Sequence, residues 1–203
     1  MALFRRKRKP EAGLVPYMDP GEFAQLLAVL ETLAPARILE WGSGGSTKAI
    51  LERCPFVERL VSLEHDRAWH QRVRELVSDP RLELHLFEPA EPMPAQTERE
   101  AYNAFVDRAE RERELFASYI DFPASLDAIF DFVLVDGRAR SFCIAAGWEL
   151  LRPGGVLVVH DAQRREYHPA LAELGARPVF LEPFVNGQIC LVRKPGSSPS
   201  SPS

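Results

Sequence analysis

Apolar residues recur along the chain at two different spacings, and the alternation between them outlines the fold. In "MDPGEFAQLLAVLETLAPA", Phe23, Leu26, Leu27 and Leu30 follow the three-and-four spacing of an amphipathic helix, with Asp19 as its cap and Pro20 in its first turn. "RILEW" then reads as a first strand, "WGSGGST" as a glycine-rich turn, and a helix starting near Ser46 ends before Pro55. A second strand is predicted over Arg59–Leu63, a helix over "RAWHQRVRELVSD", and a third strand over Leu82–Phe87. "FDFVLVDG" is continuously apolar, as a parallel strand covered on both faces should be. "RSFCIAAGWELLRPGG" reads as a helix stopped by Pro153 and Gly154, "GVLVVHD" as a fifth strand, and a helix follows around Ala170–Leu174. "RPVFLEPFVNGQICLVRK" supplies two further strands, an antiparallel hairpin with a turn signal at Asn186–Gly187.

Strands alternating with helices imply an α/β fold whose mostly parallel sheet is covered on both faces by right-handed crossovers. One segment breaks the rhythm. Pro89 to Ser125 separates the third and fourth strands by far more than the usual ~2–6 residues. Within it, Ala101, Phe105, Ala109, Phe116 and Tyr119 lie at helical spacing, so this insertion is either a packing or homodimer-forming helix or a lid over the carboxyl edge of the sheet. The ordered domain is expected over residues 17–193, with a basic tail at 1–16 and a low-complexity Pro/Ser tail at 194–203, both disordered.

A chain of 203 residues, 46% hydrophobic and 27% charged, fits one globular domain. Its net charge of −4 already includes the basic run Arg5–Lys9, so the rest is more acidic still and has no broad attraction for nucleic acid. The basic run reads as a solvated tail. No apolar run reaches the ~18 residues of a membrane span, and the N-terminus lacks a secretory h-region. Cys54, Cys143 and Cys190 are odd in number and lack metal-type spacing, which suits small core residues in a reducing cytoplasm.

Ligands of an open α/β sheet bind outside the carboxyl ends of its strands. Those ends carry Glu40-Trp41-Gly42, Glu64-His65-Asp66, Glu88, Asp136-Gly137-Arg138 and His160-Asp161. An acid at every one of them points to a site. Gly42 and Gly44 clear room for a ligand at the backbone, with Ser43 between them, and the helix beginning at Ser46 offers free N–H groups for a carboxylate or other anion. Glu64, about 20 residues on, is placed to accept hydrogen bonds from two ribose hydroxyls.

A nicotinamide dinucleotide would use the same ribose contact. Its G-x-G-x-x-G fingerprint, however, wants a third glycine where this chain has Thr47. Glu40 just before the loop would repel a pyrophosphate but suits an ammonium group. S-adenosylmethionine offers that ammonium, a carboxylate and a ribose.

"ILEWGSGGST", "VSLEHD", "FDFVLVDGR" and "LLRPGGVLVVHD" resemble, in order and spacing, the successive motifs of class I S-adenosylmethionine-dependent methyltransferases, over roughly Arg37 to Arg193. The resemblance implies a Rossmann-like seven-stranded sheet with the last strand inserted antiparallel. It also implies that Glu40, Gly42 and Gly44 line the methionine end, that Glu64 holds the ribose and that Glu88 lies near the adenine edge, with Trp41, Ser43, Ser46, Thr47 and His65 as further candidate cofactor contacts.

Methyl transfer to a hydroxyl needs an aligned acceptor and a group that takes its proton, or a metal that lowers its pKa. Asp136 and Asp161 end neighbouring strands where acceptor and cofactor meet, so Asp136 is expected to touch both. The arrangement is similar to the catechol-type O-methyltransferases, whose corresponding acids bind a divalent metal, although their Asn is here Ala162. Asp136 and Asp161 are therefore candidate ligands for Mg²⁺. "HDAQR" also resembles the His-Asp-x-x-Arg segment of glucuronoxylan O-methyltransferases, which favours a hydroxyl acceptor and makes His160 a candidate base near working pH. Arg138, Arg140, Arg164 and Arg165 are candidates to clamp a carboxylate or phosphate. The expected function is O-methylation of a small molecule or glycan. The alternatives are an NAD(P)-dependent oxidoreductase and a non-catalytic, methyltransferase-like scaffold.

Overall fold

The computed structural model describes residues 13–185 and 187–196. Among them, seven strands form one sheet in the order β3-β2-β1-β4-β5-β7-β6. The elements are α1 (Pro20–Leu33), β1 (Arg37–Trp41), α2 (Gly45–Arg53), β2 (Arg59–Glu64), α3 (Arg67–Leu76), β3 (Leu82–Leu86), α4 (Arg99–Ala109), α5 (Ala117–Asp121), β4 (Phe130–Val135), α6 (Arg140–Leu150), β5 (Leu151–Val159), α7 (His168–Glu173), β6 (Val179–Phe180) and β7 (Cys190–Arg193). The first five strands pair in parallel, while β7 runs antiparallel to both β5 and β6.

Local chemistry sets the helix starts. Asp19 accepts from Gly21 N at 2.9 Å to cap α1, with Pro20 at the first helical position, and Asp66 accepts from Trp69 N at 2.8 Å to cap α3. Strand parity then divides the core. Leu39, Trp41, Val61, Leu63, Val133 and Val135 face α5 and α6, whereas Ile38, Leu60, Phe132 and Leu134 face α1 and α2. Strand order reverses between β1 and β4, so the loops that leave those two strands part there, and Asp136 N donates to Trp41 O at 2.9 Å across the gap.

Several boundaries differ from those expected. The helix predicted to run to Pro153 ends at Leu150, and β5 starts at Leu151 in extended conformation. Pro153 and Gly154 sit where the β4–β5 register shifts between Phe130 and Phe132, an irregularity that tolerates a residue with no N–H to donate. Glu64 closes β2 instead of following it. The turn signal lies at a small bridge between Phe184 and Gly187, inside the connection that joins the two strands of the terminal hairpin, with Asn186 outside the described residues.

The domain edges also shift. Leu14 is buried and Val15 lies over Gly45, so the ordered domain takes in residues that the sequence places in the tail. At the other end Lys194 donates from Nζ to Trp148 O at 2.6 Å. The basic run lies outside the described residues, as does most of the Pro/Ser tail. No helix among the described residues is long and apolar enough to cross a membrane.

The insertion is not one helix but α4, a 3-10 turn, α5 and a second 3-10 turn. Its apolar residues Phe105, Ala109, Phe116 and Tyr119 are buried in the core of their own chain, so they pack the insertion onto the sheet; Ala101 is exposed. Glu110, just past the end of α4, accepts from Arg140 N at 3.2 Å and from Ser141 N at 2.9 Å and so caps α6.

Candidate active site

A cavity of about 620 Å³ opens at the carboxyl ends of β1, β2, β4 and β5. That volume lies within the range of small-molecule sites. The glycine loop is one wall. Gly42 has φ +98°, and a Cβ on it would come within 2.7 Å of Gly137 N, so the β1 and β4 loops pass each other only because both positions lack side chains. A Cβ on Gly44 would press on Trp69 Nε1 at 3.3 Å.

Glu64 faces this cavity. Its Oε1 accepts from the backbone N–H of His65 at 2.8 Å and of Asp66 at 2.9 Å, and its Oε2 accepts from Ser43 Oγ at 3.1 Å. Burial alone would raise its pKa, but His65, whose Nδ1 lies 2.9 Å away, and the two backbone donors together hold it below the usual carboxylate value. Oε2 keeps acceptor capacity toward the cavity.

Glu40 has the opposite fate. Its register partner across to β2 is Ser62, on the face that α2 covers. There it accepts from Ser46 Oγ at 2.7 Å, Thr47 Oγ1 at 2.5 Å and Ser62 Oγ at 2.7 Å. Full burial pushes its pKa up to about 7, and the hydroxyl bonds only partly offset this. Thr47 in turn accepts from Gly44 N at 2.8 Å, tying the loop to the buried acid. Trp41 points to the other face and donates from Nε1 to Tyr119 O at 2.9 Å. Glu40, Trp41 and Thr47 therefore lie behind the cavity wall, whereas Gly42, Ser43, Gly44, Ser46, Glu64 and His65 line it. Glu88 does not line it either, being exposed and paired with Arg67.

The opposite wall is an electrostatic cluster. His160 Nδ1 lies 2.6 Å from Asp136 Oδ1, and its Nε2 lies 3.2 Å from Glu22 Oε2. Arg140, almost wholly buried, donates to the backbone carbonyls of Gly137, His160 and Asp136, and lies 3.2 Å from a carboxylate oxygen of each of Asp136 and Asp161. Burial alone would lower the His160 pKa, but the Asp136 charge and hydrogen bond, with Glu22 and Asp161, push it up to about 10. These contacts favour the protonated form of His160, in which it has no lone pair to act as a base. Burial would raise Asp161, yet Arg140, His160 and Arg164 together hold it low. Asp161 also adopts φ +56°, a left-handed conformation uncommon outside glycine and found at functional turns.

The same cluster corrects the metal reading. The Arg140 guanidinium lies 3.2 Å from a carboxylate oxygen of each of Asp136 and Asp161, His160 Nδ1 takes up Asp136 Oδ1 at 2.6 Å, and Ala162, in the place of a third ligand, is buried and apolar. Among the described residues no three His, Cys, Asp or Glu side chains form a group able to hold a metal ion. The donor set does not fit Mg²⁺.

It does fit S-adenosylmethionine. The start of α2, with its free N–H groups, the glycine loop and the Glu64 carboxylate lie along one wall, a set able to meet the carboxylate and ribose of that cofactor. Three contributors escaped sequence reasoning. Glu22 sits in the first turn of α1, and Tyr102 with Arg99 comes from α4; only a helix-face argument could have singled them out.

No family model matches the chain, and no curated protein matches it. Solved structures do. A methyltransferase-like protein from Silicibacter pomeroyi is similar at 25% identity over 92% of each chain, with a TM-score of 0.61. A Staphylococcus aureus protein assigned as a caffeoyl-CoA O-methyltransferase is similar at 11% identity over 88% of this chain and 86% of that one, with a TM-score of 0.60. An N-methyltransferase from Bradyrhizobium japonicum, in complex with S-adenosyl-L-homocysteine, is similar at 17% identity over 86% of each chain, with a TM-score of 0.51. The fold is that of the Rossmann-like class I S-adenosylmethionine-dependent methyltransferases, and it resembles the O-methyltransferases among them.

Proposed function

We propose that the protein transfers a methyl group from S-adenosylmethionine to a hydroxyl of a small molecule, and does so without a divalent metal. One observation carries the reading: a single cavity has Glu64 and the glycine loop on one wall and the Asp136–His160–Arg140–Asp161 cluster on the other. When bound, S-adenosylmethionine supplies an electrophilic methyl group open to in-line displacement by an acceptor atom ~3–3.5 Å away. Glu64 would bind its ribose, and the start of α2 its carboxylate.

The proton is handled by Asp136. Its Oδ1 is engaged by His160 and lies beside Arg140, while its Oδ2 has no protein partner among the described residues. That oxygen accepts the hydrogen of the acceptor hydroxyl as the displacement proceeds. His160, already protonated, holds Asp136 in place, and Arg140 fixes the separation of Asp136 and Asp161.

Calorimetric titration and a labelled-methyl assay test this. S-adenosylhomocysteine should bind, NAD(P) should not, and transfer to a panel of hydroxyl compounds should survive a chelator. Binding of the dinucleotide alone would overturn the cofactor assignment. Transfer lost in chelator and restored by Mg²⁺ would overturn the metal-free one. Asp136→Ala that retains full biological activity would point to a scaffold instead.

A further inference from the structure

The acceptor half of the cavity carries more positive charge than its own acids can neutralise. Glu22, Asp136 and Asp161 face His160 and Arg140, and Arg164, 3.9 Å from Asp161, balances the third carboxylate. Arg99 and Arg138 also line the cavity, and neither forms an ion pair among the described residues. The remaining lining acids, Glu64 and Asp66, belong to the opposite wall, where Glu64 is engaged by backbone N–H groups and Asp66 caps α3.

Arg138 is held firmly for a residue without a counter-ion. It follows Asp136 by two positions at the end of β4, donates from Nη2 to Tyr102 Oη, and stacks 5.7 Å from the centre of the Tyr102 ring. Its Nε is buried and has no hydrogen-bond partner. Arg99 opens α4 three residues before Tyr102, so both lie on the same helix face and both line the cavity. Arg138 lines the cavity with no acid paired to it among the described residues, and a planar or tetrahedral oxyanion is the group a guanidinium fork matches. The other α4-side lining groups, Met93, Gln96 and Asn103, are uncharged and bring no competing acid.

We propose that Arg99 and Arg138 form an oxyanion subsite, so that the methyl acceptor is a hydroxyl compound bearing a carboxylate or phosphate group. This deepens the methyltransferase reading and rests on it. The insertion thereby gains a role in recognition, because α4 brings Arg99 and Tyr102 over an acceptor whose anion is gripped from β4 as well.

Arginine modification by phenylglyoxal, followed residue by residue by mass spectrometry, tests the subsite apart from turnover. The full chain is first saturated with S-adenosylhomocysteine, whose binding is checked by calorimetry; failure at that step counts against the methyltransferase reading itself. Glycerol, glycerate and glycerol 3-phosphate are then added at matched ionic strength, three probes that share a hydroxyl framework. Glycerate or glycerol 3-phosphate should slow modification of Arg99 and Arg138 about tenfold, the size expected for a charge-assisted hydrogen-bonded contact. Glycerol should not, and the exposed Arg74 and Arg177 should react at unchanged rates. Protection by only one of the two anions identifies the carboxylate or the phosphate as the recognised group. Equal modification with all three probes, or equal protection of Arg74, overturns the subsite. Arg99→Gln should abolish the protection of Arg138 while leaving S-adenosylhomocysteine affinity in place; protection that persists unchanged would remove Arg99 from it.

Discussion

On the β1–β3 side of the cavity the polar contacts stay within one β-α-β unit: Ser43 with Glu64, Glu64 with the two residues after it, Gly44 with Thr47. On the β4–β5 side His160 meets Glu22 from the first helix, Arg138 meets Tyr102 from the insertion, and α6 is capped by Glu110. The first wall can form from one β-α-β unit, whereas the second exists only once α1, the insertion and both strand ends have packed. Cofactor and acceptor functions should therefore separate on mutation, and changes in the packed elements should fall on the acceptor.

Asp136→Asn gives the largest expected separation. It keeps the shape of the side chain but removes the proton acceptor, so transfer should fall by about 10²–10⁴-fold while S-adenosylhomocysteine affinity stays near the parent value. An affinity that falls with the rate would show that the walls are not independent.

Gly42→Ala strikes where the walls touch. Its Cβ would meet the backbone of Asp136 and Gly137 at 2.7–2.8 Å, and its φ of +98° is strained for alanine. Chemical denaturation should show a loss of about 1–3 kcal/mol, and binding and transfer should decline together.

Glu64→Gln should act on one wall alone. Removing the charged acceptor should weaken S-adenosylhomocysteine about 10–100-fold by calorimetry, with the rate at saturating cofactor retained. A retained affinity would move the ribose contact elsewhere.

Glu40→Gln should matter least for ligand binding, because Glu40 lies behind the wall. Its signature is in pH. The folded carboxyl keeps its proton up to about 7, while an exposed one in the unfolded chain loses it near 4.5, so between these values the folded state binds more protons. Stability then falls as pH rises through that window. Unfolding curves from pH 4 to 8 should show a shallower slope for Glu40→Gln, and its stability at the upper end should lie within about 1 kcal/mol of the parent. An unchanged slope would mean that Glu40 is not the titrating group.

Much of the fold is legible in the sequence because each element carries its own signal. Asp19-Pro20, the alternating helices and the unbroken apolar run of β4 depend on residues next to one another. The acids at the strand ends are legible too, but their roles are not. Sequence position makes Glu40 a partner for an ammonium group, yet it lies under the loop, because its place in the β1–β2 register turns it toward α2. Sequence position likewise makes Asp136 and Asp161 a metal pair and His160 a base, because nothing in "VDGRAR" or "VVHDA" says that the Arg140 side chain folds back between the two acids.

What the sequence by itself determined is an α/β sheet with a glycine turn after its first strand, an acid at each strand end and an interrupting segment before the fourth. These are local facts, dictated by spacing and by residues that start or stop elements. Tertiary structure alone decided which acids face the cavity, that Arg140 and His160 pack against Asp136 and Asp161, and that Glu22 backs His160 from the first helix while Tyr102 meets Arg138 from the insertion. The physical reason is that charge and burial act through space: a carboxylate becomes a base, a buried prop or an ion-pair partner according to the groups that packing sets within a few ångströms of it.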